Sequence, residues 1–398
     1  MNSQQQASER ATRPVPRRRM PALRRWGARV LSLGCALLFV RMCVPWWCGR
    51  EAGAWFRGEP DIQLELAEEL IAFEAADDGE RSGDRFSGEW ALVTHQMTAL
   101  GLAQLCLSHP EWKARLAPVV TSAAAKSFLP EMRDFGTRAW DGEDAMASLG
   151  GNHGHAYLAY SALALGMARL VDPDFPPALA AGQDALVLAY ERRLLASGTG
   201  LIETYPGEAY PTDVAAVAAA IAVHGRATHS SHEPVLRHWA DRVRAVQIDP
   251  ESGLVIQRMD AKSGAAHDAP RGSGTGLAAY FAGFADRGVA ELLAGGLLGH
   301  ESTFFGFGAI REYAEGHRGS GDVDSGPVLF GASVSATGFA LAPARAFGRE
   351  DAFVRLYRSA DLFGLPIVQG GRRRFATGGP IGNALLLALL TSGPEVMP

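Results

Sequence analysis

From Pro60 to about residue 391 the sequence alternates two kinds of stretch, both with helical spacing and little strand alternation. One kind is amphipathic and charged: roughly 60–77, 111–135, 175–196, 232–247, 286–298 and 350–362. The other is rich in small residues and nearly uncharged: roughly 88–107, 153–170, 211–225, 274–285, 327–346 and 380–391. Repeated helix pairs bury their faces against neighbouring pairs. An open solenoid keeps a polar face on every helix, whereas here the second member of each pair has almost none. Six apolar helices wrapped by six charged ones predict an all-α fold, a closed (α/α)6 barrel over residues 60–391.

The connections are uneven in length. Those leaving the apolar helices are short, as at His109-Pro110 and Val171-Asp172-Pro173. Those leading into them are long: 134–152, 197–210, 248–273, 299–326 and 363–379. The long connections therefore gather at one end of the barrel, over the inner-helix N-termini. Loops on a rigid scaffold are where binding and chemistry concentrate, and helix N-termini favour negative groups.

The stretch Gly316–Gly348 joins both features. It opens as a glycine-rich loop with Asp322 and Asp324, then runs uncharged from Ser325 to Ala344. Asp324 or Ser325 is suited to cap a helix and Pro327 to its first turn. The sequence thus predicts a central buried helix with two carboxylates at its mouth.

Ahead of the barrel, residues 1–29 carry eight arginines against one acid, Glu9, and read as a disordered basic arm. Residues 30–48 form an apolar core, Val30 to Val40, extended through Arg41 to Trp46-Trp47. Basic lead and trailing tryptophans fit a single-pass anchor with its N-terminus cytoplasmic and the barrel outside the cytoplasm. A cleaved signal is the competing reading, without a small-x-small site after the run. The net charge of −5 gives no general affinity for nucleic acid. Cys35, Cys43 and Cys48 cluster before the barrel and Cys106 stands alone within it, so neither a disulfide framework nor a zinc spacing is present.

Candidate chemistry lies in the long connections. His155, in Gly-Gly-Asn-His-Gly-His-Ala-Tyr, leads into the second inner helix and suits a proton acceptor. His153 and His155, two apart, point to different sides, and no metal site is predicted. Asp213 follows Tyr210-Pro211-Thr212; it serves as a helix-start acid or as a functional one, beside Glu203, Tyr205 and Tyr210. Asp322 and Asp324 offer a general acid and base. Glu312 and Tyr313 follow an aromatic run that includes Phe307, giving an apolar wall beside polar groups. Arg271 is placed to bind an anionic group or pair with the aspartates, and Arg374 near Asn383 reads more simply as a surface cation. The predicted catalytic set is His155, Asp213, Asp322, Asp324 and Glu312, converging in one cavity. The substrate-binding set is Tyr205, Tyr210, Arg271, Phe307 and Tyr313. Gly272-Ser273-Gly274-Thr275-Gly276 lacks the strand and spacing of a nucleotide loop, and no other cofactor motif occurs.

A six-pair toroid with Gly154-His155 opening an inner helix resembles the linalool dehydratase/isomerase family. In that family this histidine and the loop corresponding to Tyr205–Val214 line the substrate cavity. The resemblance implies a membrane-tethered, cofactor-free acid/base lyase or isomerase acting on a small apolar alcohol or terpenoid. The family's cysteine pair is missing here, and Tyr210 and Asp213 stand in that neighbourhood. Two other classes share the scaffold: a carbohydrate-active enzyme (glycoside hydrolase, lyase or epimerase) using two carboxylates and stacking aromatics, and a non-catalytic membrane-tethered binding protein. A homo-oligomer is compatible with all three. A cavity densely lined with carboxylates would favour the carbohydrate class over the apolar substrate.

Overall fold

The computed structural model describes residues 22–76, 87–151, 154–322 and 325–395. Chain contacts divide them into a unit ending at Trp46 and a second unit from Trp47 onward.

In the first unit, α1 (Ala22–Cys48) presents Val30, Leu31, Leu33, Leu37, Leu38 and Phe39 to the surroundings. The stretch Trp26–Arg57 is long and apolar enough to cross a membrane by length and composition. The helix begins within the stretch expected to be an arm; the rest of that arm, residues 1–21, lies outside the described residues.

The second unit is an (α/α)6 barrel. After α2 (Ala52–Arg57) come the outer helices α3 (Pro60–Ala76), α5 (Lys113–Ser127), α8 (Pro177–Ala196), α10 (Glu233–Arg242), α12 (Arg287–Gly299) and α15 (Glu350–Gly364). Between them run the inner helices α4 (Ser87–Ser108), α7 (Ala159–Val171), α9 (Pro211–Thr228), α11 (Gly272–Ala285), the pair α13 (Val334–Phe339) and α14 (Leu341–Ala346), and α16 (Gly379–Thr391). The inner members pack in succession and α16 returns against α4, which closes the ring. A short α6 (Asp134–Ala139) lies in the loop before α7.

Small residues make this closure possible. A Cβ on Gly101 of α4 would stand 2.7 Å from Leu387 Cγ and 3.0 Å from the Ala388 nitrogen of α16. Across the same seam Gln104 donates to Ala388 O at 2.8 Å and to Thr391 Oγ1 at 2.9 Å. Large side chains fill the core: Tyr190, Trp239, Phe281, Phe353 and Tyr357 are fully buried. Each contributes about 1.5–3 kcal/mol through burial of its apolar surface.

The fifth inner helix is shorter than the sequence predicts. The uncharged run from Ser325 is not helical at its start: Val328–Leu329 (β3) and Ala332–Ser333 (β4) form a hairpin, turning at Phe330-Gly331. The helix begins at Val334, capped by Ser333, whose Oγ accepts from Ala336 N at 3.0 Å. The hairpin is also exposed, with Leu329 and Phe330 at the surface, so the lack of charge in this run does not reflect burial. Two more hairpins, β1 (Glu301–Phe304) with β2 (Phe307–Ile310) and β5 (Pro366–Gln369) with β6 (Arg372–Phe375), complete the strands among the described residues. Asn383 caps the backbone of Phe375 at 2.7 Å, and exposed Arg374 lies beside the buried Arg373, which holds Glu51 and Glu65.

Candidate active site at the long-loop end

The long connections lie over the N-termini of the inner helices and bring the predicted residues into two neighbouring groups. The first is built on the starts of α4, α7 and α9. Asp213 sits in the first turn of α9, where Pro211 needs no amide partner. Tyr160 Oη donates to its Oδ1 at 2.9 Å and Thr204 Oγ1 to its Oδ2 at 2.6 Å. Burial pushes the Asp213 carboxyl above its ordinary range, against the pull of those two hydroxyls.

Tyrosines surround this carboxyl. Tyr157 and Tyr205 stack with centroids 6.3 Å apart, and Tyr205 meets Tyr210 edge-on at 6.5 Å. Tyr205 Oη donates to Glu89 at 3.3 Å, and Tyr210 Oη donates to Glu208 at 2.8 Å. Glu208 also accepts from Arg258 at 2.8 Å. Burial, followed by the neighbouring carboxylates, raises the phenols of Tyr205 and Tyr210, so both remain hydroxyl donors at neutral pH.

The second group is built on the start of α11. Glu312 is fully buried; its carboxylate accepts from Ser273 Oγ at 2.6 Å and Ser273 N at 3.2 Å. Burial raises its pKa, opposed by those bonds, by Ser333 and by Arg271. Arg271 is clamped between Asp268, at 2.6 Å, and Asp322, and lies 5.4 Å from the Tyr313 ring. Burial works against this cation, but the two aspartates outweigh it and hold its pKa above the usual value. Thr212 Oγ1 donates to Gly274 O at 3.0 Å and so links the two groups.

The remaining predicted residues stand apart. His155 precedes its helix rather than opening it, in a left-handed conformation with φ 62°. Its ring packs on Trp140 with centroids 4.5 Å apart, and the carboxylate beside it is Glu143, 3.6 Å away, outside the predicted set. Arg193 holds the preceding loop by donating to Ser148 O and Gly154 O, and Tyr190 Oη donates to His155 O at 2.9 Å. Phe307 lies on the β1–β2 hairpin against α15. Asp324 and His153 lie outside the described residues.

Sequence reasoning passed over Tyr157, Tyr160, Glu89 and Glu208. The first two were legible as the residues that follow Gly154-His155 into the inner helix, and Glu208 as an acid among tyrosines. It also passed over the opposite end of the barrel. There a cavity of about 580 Å³ runs between α10 and the ends of α9 and α11, and one of about 410 Å³ lies beside it. The smaller is lined by a hydrogen-bonded chain: Asp184 to His224 Nε2 at 2.9 Å, His224 Nδ1 to His232 Nε2 at 2.9 Å, and His232 Nδ1 to Glu191 at 2.6 Å. The signal was the histidine-rich short connection His224–His232.

No family model matches the sequence, and no curated protein matches it. Among solved structures the chain is similar to an inactive variant of an α-1,6-mannanase, GH76A of Salegentibacter sp. HEL1_6, in complex with α-1,6-mannotriose. The TM-score is 0.47 with 13% identity, covering 83% of this chain and 99% of that one. The expected resemblance to linalool dehydratase/isomerases is corrected: the similar solved structure is this α-1,6-mannanase variant. The lyase or isomerase reading on an apolar terpenoid falls with it. The physical reason is the lining: hydroxyls and carboxylates crowd the long-loop end, while the cysteines of the barrel unit are buried elsewhere, Cys48 beside Asp361 of the outer helix α15 and Cys106 near the far end of α4.

Proposed function

We propose that the long-loop end of the barrel is a carbohydrate-active site, and that the N-terminal apolar helix holds the barrel at a membrane, outside the cytoplasm. One observation carries the first part. Four tyrosines, Tyr157, Tyr160, Tyr205 and Tyr210, stand among Glu89, Glu208 and Asp213 at the starts of three successive inner helices. Aromatic faces stack on sugar rings, and paired carboxylates and phenols match a polyol's many hydroxyls. These groups are hydrogen-bonded to one another; a polyol's hydroxyls can exchange into such a network, whereas an apolar alcohol offers one hydroxyl to it.

In this proposal Asp213 is the proton donor. Its raised pKa keeps the acid form available where an ordinary aspartate is ionised, as glycoside cleavage requires of its acid. Glu89 and Glu208, each one tyrosine away, are the candidates for the second carboxylate. Glu312 and Asp322, with Arg271, hold the start of α11 and the loop across it. His155, behind Trp140, positions the loop that carries Tyr157.

The test is a panel of α- and β-linked oligosaccharides incubated with the full-length protein, with products read by mass spectrometry and binding by calorimetry. Cleavage or saturable binding of one linkage class is expected. A protein that neither binds nor alters any glycan, but takes up apolar alcohols, refutes the reading.

A further inference from the structure

The barrel carries more exposed apolar surface at one part of its rim than its fold needs. Phe304, at the tip of the β1–β2 hairpin, is 73% exposed, and Phe363, near the end of α15, is 57% exposed. Phe305 beside the first, and Leu365, Ile367 and Val368 beyond the second, are exposed as well. Hydrogen bonds place these segments together. Arg358 of α15 donates to Gly306 O at 2.9 Å, tying the first hairpin tip to the last turns of that helix. Thr377, just past β6, donates to Phe363 O at 2.7 Å, tying in the other.

Turn chemistry did not select these residues. Phe305 has φ 52° and Leu365 has φ 51°, left-handed conformations in which glycine or asparagine costs less than a bulky side chain. Water did not select them either, because apolar patches on a surface mark sites of contact.

The chain's own route indicates what covers them. The barrel unit begins at Trp47, directly after the apolar stretch of α1. Cys48 is hydrogen-bonded to Asp361, one residue before Leu362 and two before Phe363. Glu51 is held in bidentate fashion by Arg373 of β6, at 2.8 and 3.1 Å. The first residues of the barrel unit, through Cys48 and Glu51, are therefore held against the end of α15 and against β6. Trp47, itself 59% exposed, and the exposed Arg372 and Arg374 supply the aromatic and cationic groups that suit a headgroup region.

We infer that this rim, formed by the tips of β1–β2 and β5–β6 and the end of α15, is a lipid-contacting surface that rests on the bilayer holding α1. The inference depends on the tether reading above and adds a second, independent contact to it. Its occupant is the lipid interface, and the long-loop end of the barrel then lies beside that interface.

The test uses the full-length chain in vesicles of phosphatidylcholine and phosphatidylglycerol. Cys35→Ser and Cys43→Ser remove the accessible thiols, and an environment-sensitive dye is placed at Phe304→Cys, Val368→Cys or Leu188→Cys. Leu188 is exposed on α8, across the ring from α15. Brominated lipids are expected to quench the dye at 304 and 368 several times more strongly than at 188. Equal quenching at all three positions, in protein that floats with the vesicles, overturns the lipid-contacting rim and leaves the tether standing. Cross-linking between copies through 368, without quenching, overturns it in favour of a second copy of the chain. Failure to float with vesicles removes the tether and the rim together.

Discussion

The Tyr160 hydroxyl reaches Asp213 Oδ1 at 2.9 Å, from the first turn of one inner helix to the first turn of the next. This donor stabilises the carboxylate and so pulls against the burial that raises the Asp213 pKa. Tyr160→Phe should therefore raise that pKa further. In a glycan-cleaving assay the alkaline limb of the pH–rate profile should move to higher pH. An unmoved limb, or one moved to lower pH, would remove Asp213 from the acid role.

Asp213→Asn keeps the size of the side chain and one acceptor for Thr204 or Tyr160. It should lower turnover by about 10²–10⁴, the usual contribution of one positioned proton-transfer group. The circular dichroism spectrum and melting temperature should stay within a few degrees of the parent. Full activity in the folded variant would contradict the assignment.

Glu312 makes a prediction about stability rather than rate. Its folded-state pKa is raised, so the folded form holds a proton that the unfolded form releases. That stability is complete below the unfolded carboxyl pKa, about 4.3, and is lost as pH rises through the folded value. Glu312→Gln does not titrate and still offers Ser273 an acceptor. Its melting temperature should gain on the parent as pH rises from about 4 to neutrality. A difference constant across that range would show that the carboxyl does not titrate abnormally.

The seam between α4 and α16 tolerates no added volume at Gly101. Gly101→Val should cost about 1–3 kcal/mol through overpacking. Denaturant titration should show it as a lower midpoint. An unchanged midpoint would mean that the ring is looser than the contacts indicate.

How much of this was legible depended on the kind of signal. The barrel was readable because the inner ring needs small uncharged residues, as in the alanine run of α9, while the outer ring keeps its arginines and glutamates. The start of the fifth inner helix was not. From Ser325 to Ser333 the uncharged run reads as a buried helix, yet it forms an exposed hairpin around the left-handed turn at Phe330-Gly331. Asp213 and Glu312 were singled out by their positions before inner helices, while Glu89 and Tyr160 were passed over because their hydrogen bonds run between elements far apart in sequence. His155 was marked by its position, but the sequence does not reveal that Trp140, fifteen residues earlier, covers its ring.

Arg345, near the end of α14, donates through Nε to the Trp55 and Phe56 carbonyls at 3.1 Å and through Nη2 to Glu395 at 3.1 Å. One guanidinium thus ties the beginning of the barrel to its end. Solenoids of helix pairs have outermost repeats that can fray while the middle stays folded. This ring has no outermost repeat, so loss of any one pair unseats two neighbours at once. The barrel should melt as a single cooperative unit. It should also accept new termini in its short loops, once the old ones are joined across the span that Arg345 already bridges.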